Sequence, residues 1–216
     1  MFSEISKIID LNKNDKNILN KIQQLNKKCT MCKIKEHYKD YDAVSGEGNI
    51  NTDIMLIGEA PGEEEMIKGR PFVGRAGKLL NKAMEQTGIK REDIYIHNIL
   101  SCRPHKNKFP YGHDGINICK QWLVLEVSII KPKVILAIGG TAYKVLMNRP
   151  EAAITRRRGE WETWVMNKIN HKVWFAGTFH PSYCLRRHNM GDDEATNLLI
   201  KDLEDAKKMI NEEFLI

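Results

Sequence analysis

Residues 53–80 read DIMLIGEAPGEEEMIKGRPFVGRAGKLL, and the fold class turns on how that stretch is punctuated. Ile54-Met55-Leu56-Ile57 is a short, wholly apolar run with the length and composition of a buried parallel strand. It stops at Gly58, and Glu59-Ala60-Pro61-Gly62 forms a sharp turn. There Pro61 fixes its own φ, and Gly62 reaches backbone angles closed to other residues. A polar loop leads to Gly69-Arg70-Pro71-Phe72-Val73-Gly74, and a helix is expected from about Arg75. Strand, irregular loop, helix is how open α/β sheets build ligand sites at the carboxyl ends of their strands. Neither the G-x-x-x-x-G-K-[ST] nor the G-x-G-x-x-G spacing of phosphate loops is present. A turn carrying Glu59, and Phe72 set between Pro and Val, suit a flat neutral ring better than a triphosphate. The plain alternative is a structural loop with a core Phe.

Further signals extend this unit in both directions. Ile94–Ile99, Lys133–Gly139 and Val173–Thr178 read as three more strands. Helices are expected over Gly77–Thr87, Asp114–Ile130, the stretch from Thr141 to Met147, and Asp193–Glu212. Residues 4–28 carry helical apolar spacing in two pieces, the second capped by Asp15. Residues 33–51 and 105–112 read as loop, and 154–165 as a basic connection that includes an edge strand. Strands alternating with helices predict one α/β domain over 1–216, a mostly parallel four-stranded sheet covered on both faces. The ends of three strands then present Glu59, Asn98 and His180 at one rim.

Composition narrows the class. The chain is 42% hydrophobic and 29% charged, with formal net charge +6. No run approaches the roughly 18 apolar residues of a membrane helix, and the first residues lack a secretory pattern, so no membrane role and a cytoplasmic location are expected. The positive excess suggests a polyanionic partner. Its clusters, Arg156-Arg157-Arg158 and Arg186-Arg187-His188, flank the fourth strand.

Five cysteines in such a chain argue against disulfides. Cys29 and Cys32 form a C-x2-C, with Cys102 and Cys119 further on. The pair follows a helix rather than lying at a strand-to-helix junction, which disfavours a thioredoxin-like redox pair. Four thiolates suit either zinc or a [4Fe–4S] cluster. Cys184 is left over as a buried or surface thiol.

Taken in order, GEAPGEEE at 58–65, GRPFVGRAG at 69–77, HNILSCRP at 97–104, ITRRRGEW at 154–161 and HPSYCLR at 180–186 resemble the family-4 uracil-DNA glycosylases. The resemblance runs from about Cys29 to the last helix and covers residues 1–28 weakly. It implies a three-layer αβα fold and a monofunctional enzyme. Such an enzyme hydrolyses the N-glycosidic bond of deoxyuridine in single- and double-stranded DNA, releasing uracil and leaving an abasic site for base excision repair. It also implies a structural [4Fe–4S] cluster on Cys29, Cys32, Cys102 and Cys119, held by loops from 29–32 and 102–119. Partners implied are uracil-containing DNA and the product uracil. A monomer is expected, with transient contacts to repair or replication proteins.

The same resemblance gives the residues roles. Phe72 stacks on the base, Asn98 reads the uracil edge, and His180 hydrogen-bonds the oxygen on which charge develops. The turn of Glu59, Ala60, Pro61 and Gly62 lies against the base, and its backbone N–H groups, of which Pro61 has none, add further donors. Family-1 enzymes carry a water-activating Asp where this chain has Ala60, so water must be positioned otherwise. Glu59 is the first candidate, with Glu65 or a backbone carbonyl as alternatives. Ser182, Leu185 and Arg186 resemble the loop that enters the minor groove, with Leu185 as wedge, and Arg158 is a phosphate contact. Two rival readings remain open. One is a uracil- or DNA-binding module without turnover. The other is a redox or sensor protein with a vestigial pocket.

Overall fold

The apolar run that opens the deciding stretch lies at the centre of the sheet. The structure is a computed structural model in which residues 15–214 are described. The first helical piece expected within 4–28 falls largely outside them. The elements are α1 (Lys16–Lys27), β1 (Glu47–Gly48), β2 (Ile54–Gly58), α2 (Glu63–Lys68), α3 (Arg75–Gln86), β3 (Tyr95–Asn98) and α4 (Asp114–Ile130). They continue with β4 (Val134–Ile138), α5 (Gly140–Met147), α6 (Ile154–Arg157), β5 (Glu162–Met166), β6 (His171–Thr178), α7 (Pro181–His188) and α8 (Glu194–Met209).

The sheet order is β1-β3-β2-β4-β6-β5. The four inner strands are mutually parallel, and they are the four that the apolar runs predict. The expected four-stranded sheet is thus extended to six by antiparallel edges, β1 on β3 and β5 on β6. β1 is only two residues long, and β5 (Glu162-Thr163-Trp164-Val165-Met166) buries only its last residue, so neither gives the solid apolar run of a central strand.

Side-chain alternation divides the interior into two layers. On one face Met55, Ile57, Tyr95, Ile135, Ala137 and Phe175 pack with Leu19 and Ile22 of α1, Trp122 of α4 and Tyr143 of α5. On the other, Ile54, Leu56, Ile96, Leu136 and Ala176 pack with Leu80 and Met84 of α3, Cys184 of α7 and Leu199 and Leu203 of α8. Helices on both faces of a mostly parallel sheet make the three-layer αβα arrangement.

The chain leaves β2 for β3 on one side and later places β4 on the other side of β2. That reversal opens a crevice beyond the carboxyl ends of β2 and β4, the place where doubly wound sheets bind ligands. Two helices there replace expected loops. α2 begins with three glutamates, which suit the positive end of a helix. α7 begins with Pro181 at its first position behind His180, whose side chain accepts the N–H of Ser182 as an N-cap. Among the described residues no helix is long and apolar enough to cross a membrane.

Candidate active site

Every inner strand delivers residues to one cavity of about 780 Å³. Glu59, Ala60, Pro61 and Gly62 follow β2, Asn98 ends β3, Gly139 and Thr141 follow β4, and His180 follows β6. Phe72 reaches the same space from the loop before α3. The expected convergence of Glu59, Asn98 and His180 is therefore present, and the cause is the parallel topology.

Gly58 makes room for the floor. A Cβ there would meet both the Asn98 amide oxygen and the Phe72 ring, so the two side chains close over the strand end only because it is glycine. Phe72 holds a left-handed backbone (φ 49°), uncommon for a bulky residue. Three clamps sustain it. Glu65, buried in α2, accepts the N–H groups of Val73 at 2.9 Å and Gly74 at 2.7 Å, and also that of Gly62 at 3.1 Å. Arg91 donates to the carbonyls of Pro71 at 2.6 Å and Phe72 at 3.3 Å. Gly77 lets α3 approach so closely that a Cβ there would strike the Phe72 carbonyl. With its carboxylate engaged by three backbone donors, Glu65 is a loop clamp, and the alternative that gave it the water is corrected.

Asn98 is 2% exposed, and its Oδ1 has no hydrogen-bond partner among the described residues. A buried acceptor left open in this way is costly unless a ligand satisfies it. Across the cavity the His180 ring centroid is 6.0 Å from that of Phe72. Nδ1 of His180 accepts the backbone N–H of Ser182 at 3.1 Å, and the Ser182 hydroxyl lies 2.8 Å from the same nitrogen. A neutral imidazole so held carries its proton on Nε2. Burial, and then the nearby Arg186 guanidinium, lower its pKa to about 4, so it is neutral near pH 7. Glu59 is half-buried, and burial raises its pKa against a hydrogen bond from Thr141. Thr141 in turn lies 3.3 Å from the hydroxyl of exposed Tyr111, whose loop overhangs the cavity. Tyr111, Thr141 and Lys144 were not predicted from sequence. Only the β4–α5 junction, Gly139-Gly140-Thr141, carried a usable signal: a strand end opening a helix.

The expected nucleic-acid contacts divide. Ser182 and Arg186 line the cavity. Arg186 is exposed beside Tyr183 with no carboxylate partner among the described residues. Leu185 does not line the cavity; it is half-buried in α7, which is helix where a loop was expected. Arg158 turns inward. Its guanidinium pairs with Asp202 of α8, whose carboxylate is fully buried and also accepts the Thr178 hydroxyl at 2.5 Å. That geometry is at odds with a phosphate contact. We expect Arg158→Met to cost about 3–5 kcal/mol by leaving a buried charge unpaired, read as a lower denaturation midpoint. The salt dependence of oligonucleotide binding should stay unchanged. Arg186→Ala should do the reverse, reducing the salt slope by about 1 with stability intact.

The four cysteines gather on the far side of β3. Cys29 follows α1, Cys102 follows β3, and Cys119 lies in the second turn of α4, all against one core layer. Cys32 approaches the start of α4 so closely that a Cβ on Gly115 would lie 3.0 Å from its sulfur. Burial, and then the neighbouring sulfurs of Cys119, Cys32 and Cys29, push the Cys102 thiol up to about 12. Two buried and two half-buried sulfurs brought to one place are a donor set suited to a cationic centre. Among the described residues no group of three or more His, Cys, Asp or Glu is set to hold a single metal ion. Cys184 lies apart, buried, with its Sγ 3.3 Å from the Ala195 carbonyl.

A family model described as the uracil DNA glycosylase superfamily matches residues 45–204. A type-4 uracil-DNA glycosylase of Thermotoga maritima is 42% identical over 187 residues, covering 87% of this chain and 92% of that protein. Proteins of the same description from Saccharolobus solfataricus and Archaeoglobus fulgidus are 40% and 34% identical. Those matches cover 74% and 77% of this chain and 73% and 81% of theirs.

Proposed function

The chain belongs to the uracil-DNA glycosylase superfamily and to its type-4 members, and from that premise we propose that it excises uracil from DNA by the following chemistry. A base extruded from the helix enters the cavity and lies against the Phe72 ring, a contact worth roughly 1–3 kcal/mol. The open Oδ1 of Asn98 accepts N3–H of uracil while the amide nitrogen donates to O4. Cytosine presents the reverse pattern and leaves buried groups unpaired. As the bond from C1′ to N1 breaks, its electron pair stays with the base, and the charge grows on O2. The Nε2–H of neutral His180 is placed to donate there, backed by the positive end of α7. Water then bonds to C1′ and loses a proton. Glu59, oriented by Thr141, is the group assigned to hold that water or to stabilise the cationic sugar.

The observation that carries this reading is the convergence of a strained, clamped Phe72, an unpartnered buried amide oxygen and a histidine with its Nε2 proton free. Cys29, Cys32, Cys102 and Cys119 are the residues that would hold a [4Fe–4S] cluster, which would tie the segment after α1 to the exit of β3 and the start of α4. The cavity and the four thiols share one sheet, which supports a single domain acting on uracil-containing DNA.

The test is an oligonucleotide with one U opposite G, incubated with cluster-loaded protein, then treated with alkali or, separately, with borohydride. We expect free uracil and an alkali-labile site, without strand cleavage before alkali. Lys144 lines the cavity, so the absence of a borohydride-trapped adduct is the control for a monofunctional reaction. Tight binding with no uracil released would instead support the binding module.

A further inference from the structure

Behind Asn98, on the opposite face of β3, lies a fully buried ionisable pair that the chemistry above does not use. His97 and Glu126 are each 0% exposed, with His97 Nε2 3.3 Å from a Glu126 carboxylate oxygen, an ion-pair contact whose geometry falls short of a hydrogen bond. The same oxygen accepts the Tyr95 hydroxyl at 2.8 Å, and Gln23 donates to that hydroxyl and to the Gly46 carbonyl, both at 2.9 Å. Gly46 seals the group, since a Cβ there would strike Tyr95, His97 and Glu126. Burial is the largest single influence and works against the His97 proton, but the Glu126 carboxylate and the Asn98 carbonyl together outweigh it and hold the pKa above the ordinary value.

The other ring nitrogen explains the placement. Nδ1 of His97 makes a short contact with the backbone carbonyl of Asn98. A carbonyl only accepts, so Nδ1 carries a proton and donates. The peptide after Asn98 is also held from the other side, where Ile99 N–H donates to Gly58 at 2.8 Å. The two ends of a trans peptide point opposite ways, so the Asn98 carbonyl faces the β1 side of the strand. β1 pairs only with residues 95 and 96, leaving that carbonyl beyond the ladder. His97 supplies the missing partner.

We propose that His97, held by Glu126, is a positioning residue for uracil recognition. It pins the Asn98 carbonyl, fixes the peptide that carries the reading amide, and couples that amide to α4. This inference rests on Asn98 as the residue that reads uracil.

The test measures the Ki of free uracil as a product inhibitor, together with kcat/KM, in four variants whose cluster absorbance and thermal midpoint are recorded. His97→Leu, which fills the space without a donor, should raise the uracil Ki and lower kcat/KM by about tenfold. His97→Asn keeps an N–H near the Nδ1 position and should restore both to within about threefold of wild type. Glu126→Gln should fall between them. A purely structural role would lower the midpoint in the Leu and Asn variants without separating their Ki values, and equal Ki in these two would overturn the proposal. Asn98→Ala keeps the two readings apart. If it leaves Ki unchanged, Asn98 does not read uracil and both fail. If it raises Ki while His97→Leu does not, only the present inference fails. Should His97→Leu not fold, 15N shifts of the wild-type His97 ring decide it: an unprotonated Nδ1 overturns the proposal.

Discussion

Replacing His180 with Ala should lower kcat on a uracil-containing oligonucleotide by about 100- to 1,000-fold. Single-turnover measurement should show that oligonucleotide binding survives. The size follows from geometry: a neutral donor whose Nδ1 is already engaged by Ser182 leaves one proton, on Nε2, facing the cavity. Removing it takes away a preorganised donor at the atom where charge develops, which matters little to the ground state and much to the transition state. His180→Asn keeps an amide donor and should recover part of the loss. The depressed pKa gives an independent signature. The folded imidazole titrates near 4, below the roughly 6.5 of an unfolded histidine. Between those values the unfolded chain takes up a proton that the folded chain refuses. Its burial therefore costs nothing in proton uptake above about 6.5 and subtracts increasingly from stability as pH falls toward 4. Urea denaturation across pH 4–7 should show a steeper decline in wild type than in His180→Asn; parallel curves would contradict the neutral, half-buried imidazole.

The second large effect is expected at Cys119. Cys119→Ala should abolish the visible absorbance of the purified protein and cost more than about 4 kcal/mol, as losses of metal centres do, or roughly 8–16 °C in midpoint for a chain of this size. Cys119 sits in α4, 5% exposed, its thiol raised to about 12 by burial and joined by a hydrogen bond to Ser101. Ser101 stands between the end of β3 and Cys102, so the damage should reach the uracil pocket as well as the fold. Cys184→Ala is the control. Its sulfur lies in the other core layer, and removing it should leave the absorbance unchanged. A colourless wild-type protein with the same midpoint as Cys119→Ala would refute the cluster assignment.

Some of this was legible in the residues and some was not. The four inner strands were, because each is built on a short apolar stretch of the kind buried parallel strands favour, even though β3 ends in the buried polar pair His97 and Asn98. The edges were not: β1 is held by the backbone of β3 rather than by side chains of its own. α2 and α7 show how local signals mislead. Pro-Ser after His180 reads as a turn until the histidine is seen to cap a helix. Three glutamates after Gly62 read as polar loop unless weighed as a helix start. Glu65 and Arg158 mark a deeper limit. Both are charged residues in stretches expected to meet substrate or DNA, and both are turned inward by partners 8 and 44 residues away. Spacing identifies which residues sit near a strand end; it does not say which way a long side chain turns.

The parallel register has a practical consequence. Since β2, β3, β4 and β6 all direct their carboxyl ends at the cavity, the opposite rim is formed by their starts. Exposed Asn51, Lys133 and Asn170 lie there, just before β2, β4 and β6. A biotin or fluorophore attached at Asn51 or Asn170 would tether the molecule with its reading face outward. Immobilised molecules would then share one orientation, allowing the search along a stretched duplex to be followed one enzyme at a time.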